Sequence, residues 1–259
     1  MLTKEDLLTQ LKEFEIPTGR PVIVHSSLKS IGYIDGGAET LLSALMQSYC
    51  KDEGLLCIPT HTWKSMVLDL TAPETNLGAL PQAAAEHPEG KRSLHPTHSI
   101  TVFGNRAAEF IETEKFSDTP TNPEGCYGNI YKESGYVLLI GVGQNKNTMI
   151  HCLEEMLDVP GRLTDEKIEA DIIHPDRTRE KRQLYWFDDS EISDVSVYFG
   201  KFEPAFNYHG CIKFGKLGNA DIQLCDVRKM KKVMDIIYER AMGRELLSDH
   251  TPLEENLYK

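Results

Sequence analysis

Two short apolar runs, residues 21–24 (PVIV) and 55–58 (LLCI), lie on either side of a segment with helical periodicity, residues 38–49. Leucine and methionine recur in that segment at the three- and four-residue spacing of a buried helix face. A strand, a helix and a second strand in this order predict two parallel strands joined by a right-handed crossover. This unit places the chain among the α/β folds.

Polar residues follow both predicted strands, with H-S-S from His25 after the first and T-H-T from Thr60 after the second. Because the carboxyl ends of parallel strands lie side by side, we expect the two clusters to meet. A serine-rich loop offers hydroxyls and backbone N–H groups, and the helix that begins near Asp35 adds its positive dipole. Together these suit a phosphate or a thioester oxygen. A capped strand–helix turn would explain the same residues.

A third apolar run, residues 137–140 (VLLI), ends in a glycine turn and leads into a predicted helix, residues 148–157, which Asn147 or Thr148 could cap. His151 and Glu154 lie three residues apart and would share one face of that helix. The glutamate could orient the imidazole, which would then act as a general base. Such a pair is also typical of solvent-exposed helices. No G-x-S-x-G elbow is present, so the pair would activate the substrate's own nucleophile.

The pattern changes in the second half of the chain. Residues 167–173 and 182–187 alternate polar and apolar side chains, as antiparallel strands do. Residues 211–214 and 220–225 predict a hairpin, and residues 226–242 predict a basic amphipathic helix. Parallel units first and antiparallel strands later indicate a mixed sheet that is covered by helices.

We expect a single domain over residues 1–259, with lid-like excursions near residues 64–92 and 188–210. The first excursion is long, rich in proline and weakly patterned, and the second is rich in acidic residues. Loops as long as the first are usually functional lids or poorly ordered segments.

The composition limits the binding partners and the cellular compartment that can be expected. The 28 basic and 40 acidic residues give a net charge of −12, which argues against nucleic acid or an anionic membrane as a partner. The six cysteines form no C-x-x-C pair, no apolar run approaches the roughly 20 residues of a membrane span, and no signal-peptide core follows Met1. We therefore expect a cytoplasmic protein with reduced cysteines.

Several histidines lie near predicted strand or loop edges: His25, His61, His95, His98 and His151. Zinc sites use three or four such ligands, so a metal-dependent hydrolase built on the first four is one alternative. The sequence contains no H-E-x-x-H helix and no cysteine pair to support it. We expect no metal, and the histidines would otherwise be hydrogen-bonding cleft residues or structural ones.

These stretches together resemble the aminoglycoside 3-N-acetyltransferase family, also called antibiotic N-acetyltransferases. The matching segments are VIVHSSLKSIGYIDGGA from residue 22, CIPTHTW from residue 57, RSLHPTHSI from residue 92, VLLIGVGQNKNTMIHCLEE from residue 137 and GKLGNA from residue 215. They occur in the family's order and span nearly the whole chain.

The resemblance implies a three-layer α/β/α fold with a mixed, largely parallel central sheet and an antiparallel C-terminal part. This fold is unrelated to the common N-acetyltransferase fold. The resemblance also implies residue roles. The catalytic base would be His151, supported by Glu154. The acetyl-CoA site would contain His25, Ser26, Ser27, Leu28, Ser93 and His95. The substrate site would contain His98, Asp118 and Asn147, with the acids of residues 188–194 as further candidates for a cationic amine.

The implied reaction is acetylation of the 3-amino group of an aminoglycoside by acetyl-CoA. The sequence differs from the family's pattern at residues 64–92, which are compact and contain no tryptophan. Since this region would shape the acceptor pocket, a related acyltransferase that acts on another amine is a second hypothesis. A non-catalytic binder of the coenzyme or of an amine is a third. A homodimer is compatible with the sequence.

Overall fold

The computed structural model describes residues 1–188, 194–244 and 252–259. The strands are β1 (Pro21–Ser26), β2 (Leu55–Pro59), β3 (Val67–Asp69), β4 (Lys91–Arg92), β5 (Ile100–Phe103), β6 (Tyr136–Ile140), β7 (Ile168–Ile173), β8 (Arg179–Leu184), β9 (Ile212–Leu217) and β10 (Ala220–Asp226). The α-helices are α1 (Lys4–Leu11), α2 (Leu28–Ile31), α3 (Gly37–Tyr49), α4 (Ala79–Glu86), α5 (Ala107–Ile111), α6 (Cys126–Lys132), α7 (Met149–Met156), α8 (Glu203–Tyr208) and α9 (Val227–Arg240).

Within the described residues, one central sheet has the strand order β4-β5-β2-β1-β6-β10-β9. β1 lies parallel to both of its neighbours, β2 and β6, which confirms the predicted parallel pair. The other neighbouring pairs, β2–β5, β4–β5, β6–β10 and β9–β10, are antiparallel. The sheet is therefore mixed, as predicted. Its parallel pairing is confined to the three central strands, β2, β1 and β6.

The path of the chain explains why β5 is antiparallel. The segment from residue 60 to residue 99 leaves the carboxyl end of β2 and returns at the same end, where Pro59 pairs with Ile100. A parallel strand would have required a crossover to the opposite end of the sheet. On the other side of the sheet, the predicted hairpin forms as β9–β10 and supplies the remaining antiparallel pairs.

The two faces of the sheet carry separate cores. Val22 and Val24 of β1 point into one core, which α1, α3 and α4 cover, while Ile23 points into the other, which α5 to α9 cover. This alternation is the period of a strand that is buried on both faces. The predicted three-layer arrangement is confirmed. The predicted basic helix forms as α9, whose first turn is capped by Asp226, and its apolar face is buried in the second core.

A smaller sheet lies outside the main one. It has the order β3-β7-β8, with β3 parallel to β7 and β7 antiparallel to β8. The β7–β8 hairpin was predicted, with its second strand placed three residues too late. β3 was not predicted, because three residues are too few to show a periodic pattern.

Part of the predicted second excursion lies outside the described residues, namely residues 189–193. The described part forms a 3₁₀ helix, Val195–Phe202, followed by α8. Phe199 and Phe206 of this segment are fully buried in the second core. None of the described helices combines the length and the apolar character needed to cross a bilayer.

Gly141 ends β6 and sets the direction of the loop that leads to α7. Its φ of +64° lies in the left-handed region, and a Cβ at this position would come within 2.5 Å of the Ser30 Cβ. A side chain would therefore be strained as well as crowded. The glycine lets the chain turn closely over α2, so that α7 begins beside the carboxyl end of β1.

Candidate active site

A cavity of about 540 Å³ lies at the carboxyl ends of β1 and β2 and beside the start of α7. This is the edge of the sheet where ligand clefts of α/β folds form. The predicted site residues that line the cavity are His25, Ser26, His98, Asn147 and His151. The two predicted polar clusters, at the carboxyl ends of β1 and β2, do meet here, because His61 of the second cluster also lines the cavity.

His151 and Glu154 both lie on α7 and are buried, with 9% and 3% of their surfaces exposed. The alternative of a solvent-exposed pair is therefore wrong. His151 Nδ1 lies 3.7 Å from Glu154 Oε2, longer than a hydrogen bond. Burial, with a smaller effect from the positive charge of Arg162, lowers the pKa of His151 to about 3. The imidazole is therefore neutral at pH 7. Contacts between catalytic groups often tighten only when the substrate binds.

Two aromatic rings hold the imidazole of His151. Phe187 stacks on it, with ring centroids 4.2 Å apart and planes inclined by 21°, and Phe199 meets it edge-on at 4.6 Å. Both phenylalanines line the cavity. Neither was predicted at the site, since an apolar residue inside a predicted strand or excursion carries no sign of its tertiary neighbour.

The predicted coenzyme residues from His25 to Leu28 have different positions. His25 and Ser26 line the cavity, whereas Ser27 and Leu28 form the turn into α2 and do not. The amide of Ser27 donates to the Ile140 carbonyl at 2.9 Å, and its hydroxyl accepts from the Ser30 hydroxyl at 2.9 Å. Nε2 of His25 is buried and has no hydrogen-bond partner among the described residues, and burial lowers the pKa of His25 to about 3.

Ser93 and His95 do not line the cavity, and both are completely buried. The Ser93 hydroxyl accepts from the Ile100 amide at 3.0 Å. His95 Nδ1 accepts from the amides of Thr97 and His98, at 3.3 and 2.9 Å, so its proton lies on Nε2 and is donated to the Thr119 carbonyl at 3.0 Å. Both side chains hold the backbone of the 93–100 turn.

These contacts also bear on the metal alternative. Both ring nitrogens of His95 are used by backbone groups, so this residue offers no free lone pair to an ion. Across residues 1–188, 194–244 and 252–259, no group of three or more histidine, cysteine or carboxylate side chains is placed to hold a metal. The geometry therefore does not favour the His-based hydrolase.

His61 and His98 form an aromatic wall of the cavity. Their ring centroids are 4.5 Å apart, and His98 also contacts Trp186 and Phe187, each at 5.4 Å. Burial lowers the pKa of both histidines well below the ordinary value. The wall is therefore uncharged at neutral pH, and it presents both flat ring surfaces and ring nitrogens.

Asp118 and Asn147, the other predicted substrate residues, differ in position. Asp118 pairs with Lys167 at 2.8 Å and lies outside the cavity. A turn-rich loop gave no indication of which way it folds. Asn147 lines the cavity, but its Oδ1 also accepts from the Met149 amide at 3.2 Å, as a cap of α7. The described carboxylates on the cavity are instead Asp188 and Asp194.

Glu155 is a structural carboxylate that was not predicted from the sequence. It accepts from the Thr119 and Thr121 hydroxyls, both at 2.5 Å, and from the Thr121 amide at 3.0 Å. Burial raises its pKa. The residue fastens the loop after Asp118 to α7, next to the pair of His151 and Glu154.

The chain is similar to known proteins in sequence and in fold. The sequence model of the family described as aminoglycoside 3-N-acetyltransferase matches residues 23–239. An SPbeta prophage-derived aminoglycoside N(3')-acetyltransferase-like protein of Bacillus subtilis is 24% identical over 247 residues, 86% of this chain and 87% of that protein. Aminoglycoside N(3)-acetyltransferase VII of Streptomyces paromomycinus is 24% identical over 94% of both chains. The solved structure of AAC-IIIb in a binary complex with CoASH superimposes with a TM-score of 0.77, at 20% identity, over 92% of this chain and 97% of that one.

Proposed function

Because this chain belongs to the aminoglycoside 3-N-acetyltransferase family, we propose that it transfers the acetyl group of acetyl-CoA to an amine, and that the amine is the 3-amino group of an aminoglycoside. The observation that carries the proposal is the position of His151. A neutral imidazole lies on the cavity wall with a carboxylate behind it. A general base needs this arrangement in order to take a proton from an attacking amine.

In the proposed reaction the amine nitrogen attacks the thioester carbonyl carbon. The new C–N bond forms while the carbonyl π electrons move onto oxygen. Since Nδ1 of His151 faces Glu154, Nε2 takes the proton of the amine. The tetrahedral intermediate then collapses, the C–S bond breaks, and the departing thiolate takes the proton from His151. The products are the acetamide and CoASH, with no covalent acyl-enzyme.

The acetyl-CoA site is proposed at the carboxyl end of β1. His25 and Ser26, the last residues of β1, line the cavity there, and Ser27 and Leu28 form the turn that follows them. The solved relative in complex with CoASH supports acetyl-CoA as the co-substrate. Ser93 and His95 would support this site from the protein interior rather than contact the coenzyme.

The acceptor site is proposed between the aromatic wall and the two described carboxylates. Asp188 and Asp194 would attract a cationic amine, in line with the net charge of −12. Both predicted excursions border this part of the cavity, the first through Leu77 and Pro81. We therefore propose a single domain in which these two segments act as lids.

A thiol-release assay tests the proposal. Acetyl-CoA would be incubated with a panel of aminoglycosides and simple polyamines, using the wild type, His151→Ala and His174→Ala. His174 is a matched control, because it also pairs with a glutamate, Glu180 at 2.9 Å, but on the small sheet away from the cavity. We expect thiol release that requires an aminoglycoside and is lost only in His151→Ala.

Other outcomes would change the proposal in specific ways. Release with polyamines alone would favour the related acyltransferase on another amine. Tight acetyl-CoA binding by calorimetry, without turnover on any amine, would favour the non-catalytic binder. We also propose a homodimer, because β9 is an edge strand of the central sheet and its Phe214 is 51% exposed. Light scattering in solution would test this.

A further inference from the structure

His61 lies on the opposite side of β1 from the proposed base. It follows β2, whereas His151 follows β6, and β1 lies between these two strands. Both histidines line the same cavity. A substrate carbonyl held above the end of β1 would therefore have one imidazole on each side.

The contact between His61 and Tyr127 determines which ring nitrogen carries the proton. Nε2 of His61 lies 2.8 Å from the Tyr127 hydroxyl, which belongs to α6 and is fully buried. Burial raises the pKa of Tyr127 well above the ordinary value, so the phenol keeps its proton. Among the described residues the hydroxyl has no other hydrogen-bond partner.

A buried hydroxyl without an acceptor is unfavourable, so the Tyr127 O–H must donate to Nε2. Nε2 is then an acceptor, and the proton of the neutral imidazole lies on Nδ1. Within the described residues Nδ1 of His61 has no hydrogen-bond partner. Unlike Nε2 of His25, this atom is not completely buried, and His61 lines the cavity. A fixed N–H donor without a protein acceptor therefore remains at the cavity wall.

We propose that His61 is a second catalytic residue, which donates a hydrogen bond from Nδ1 to the acetyl carbonyl oxygen and stabilises the oxyanion of the tetrahedral intermediate. Tyr127 is its positioning residue. The inference rests on the proposed acetyl transfer. In the reaction His61 keeps its proton throughout: the oxygen gains charge as the C–N bond forms and loses it as the C–S bond breaks. A neutral imidazole is a suitable donor where an imidazolium would lose its proton.

Two amide substitutions test the role of Nδ1. The side-chain amide of asparagine is as far from Cα as Nδ1, and that of glutamine is as far as Nε2. We expect His61→Gln to lower kcat by about 10²–10³-fold, the usual effect of losing one oxyanion donor, with the KM for acetyl-CoA unchanged. We expect His61→Asn to restore most of that loss. Equal kcat values in the two variants, whether both near wild type or both low with acetyl-CoA binding intact, would overturn the proposal.

A spectroscopic measurement tests the positioning role without turnover. The ¹⁵N chemical shifts of the His61 ring in the free protein report which nitrogen is protonated. We expect the proton on Nδ1 in the wild type and a mixture of both tautomers in Tyr127→Phe, with a smaller fall in kcat than in His61→Gln. A proton on Nε2 in the wild type would refute the assignment. If the wild type acetylates no amine, the proposed function and the catalytic role of His61 fail together, whereas an Nδ1 proton would still establish the tautomer.

Discussion

Stability should fall steeply with acid, because several neutral histidines are buried around the cavity. Burial lowers the pKa of His25 and of His151 to about 3, whereas a histidine in the unfolded chain has a pKa near 6.5. The unfolded state therefore binds more protons than the folded state between about pH 6.5 and pH 3. The stabilisation is complete above the unfolded pKa and is lost as the pH falls through this window.

The magnitude follows from the two pKa values. For one histidine, lowering the pH from 7.5 to 5.5 costs about 1.4 kcal/mol of unfolding free energy, and His25 and His151 together cost about 2.8 kcal/mol. His61, His95 and His98 add to this in the same direction, since burial lowers the pKa of each. Domains of this kind are stable by only about 5–15 kcal/mol, so this loss is a large fraction of the total unfolding free energy.

Urea denaturation at pH 7.5 and at pH 5.5 would measure the effect. In His151→Gln the difference in unfolding free energy between the two pH values should be about 1.4 kcal/mol smaller than in the wild type, because that residue no longer takes up a proton on unfolding. His174→Gln, which removes a histidine from the small sheet, controls for losing any imidazole. The reasoning would be refuted if His151→Gln kept the full wild-type difference.

Three further changes have defined outcomes. Glu154→Gln should lower kcat less than His151→Ala and shift the pH–rate profile, and an unchanged profile would argue against a functional pair. Phe187→Leu uncovers one face of the His151 ring, so an NMR titration should show the pKa of His151 rising towards its ordinary value, while a value still near 3 would mean that other groups provide the burial. Gly141→Ala should lose about 1–3 kcal/mol in urea denaturation, because its φ is +64° and its Cβ would crowd Ser30. Gly143→Ala should lose less, because its φ is −98° and the added Cβ would come no closer than 3.4 Å to Asn145 Oδ1; an equal loss would contradict the strain argument.

Local periodicity was sufficient to predict much of the fold. The β1–α3–β2 crossover, the strand that precedes α7, the β9–β10 hairpin and α9 each show their pattern within a short stretch of sequence. Pairing between distant segments was harder. The antiparallel partner of β2 depends on the whole path of residues 60–99, and β3 is stabilised by β7, about a hundred residues later.

The site was predictable where a residue lies at the end of a strand or on a helix face. His25, Ser26 and His151 reach the cavity because their elements carry them there. His95 was expected at the coenzyme site, because a sequence does not distinguish a fully buried histidine from one that lines a cavity. The partners Tyr127 and Phe187 could not be predicted, since each contacts a histidine that is more than thirty residues away along the chain.

The segment that follows β8 links two properties that an evolving enzyme would otherwise change separately. Trp186 and Phe187 form part of the wall against which an acceptor would lie, and Phe187 also stacks on the imidazole of His151. Reshaping this wall to admit a new acceptor therefore alters the proton affinity of the proposed base. Variants selected for a different amine through this segment should also differ in their pH optimum. Those selected through the first excursion, at Leu77 or Pro81, should keep the parental optimum.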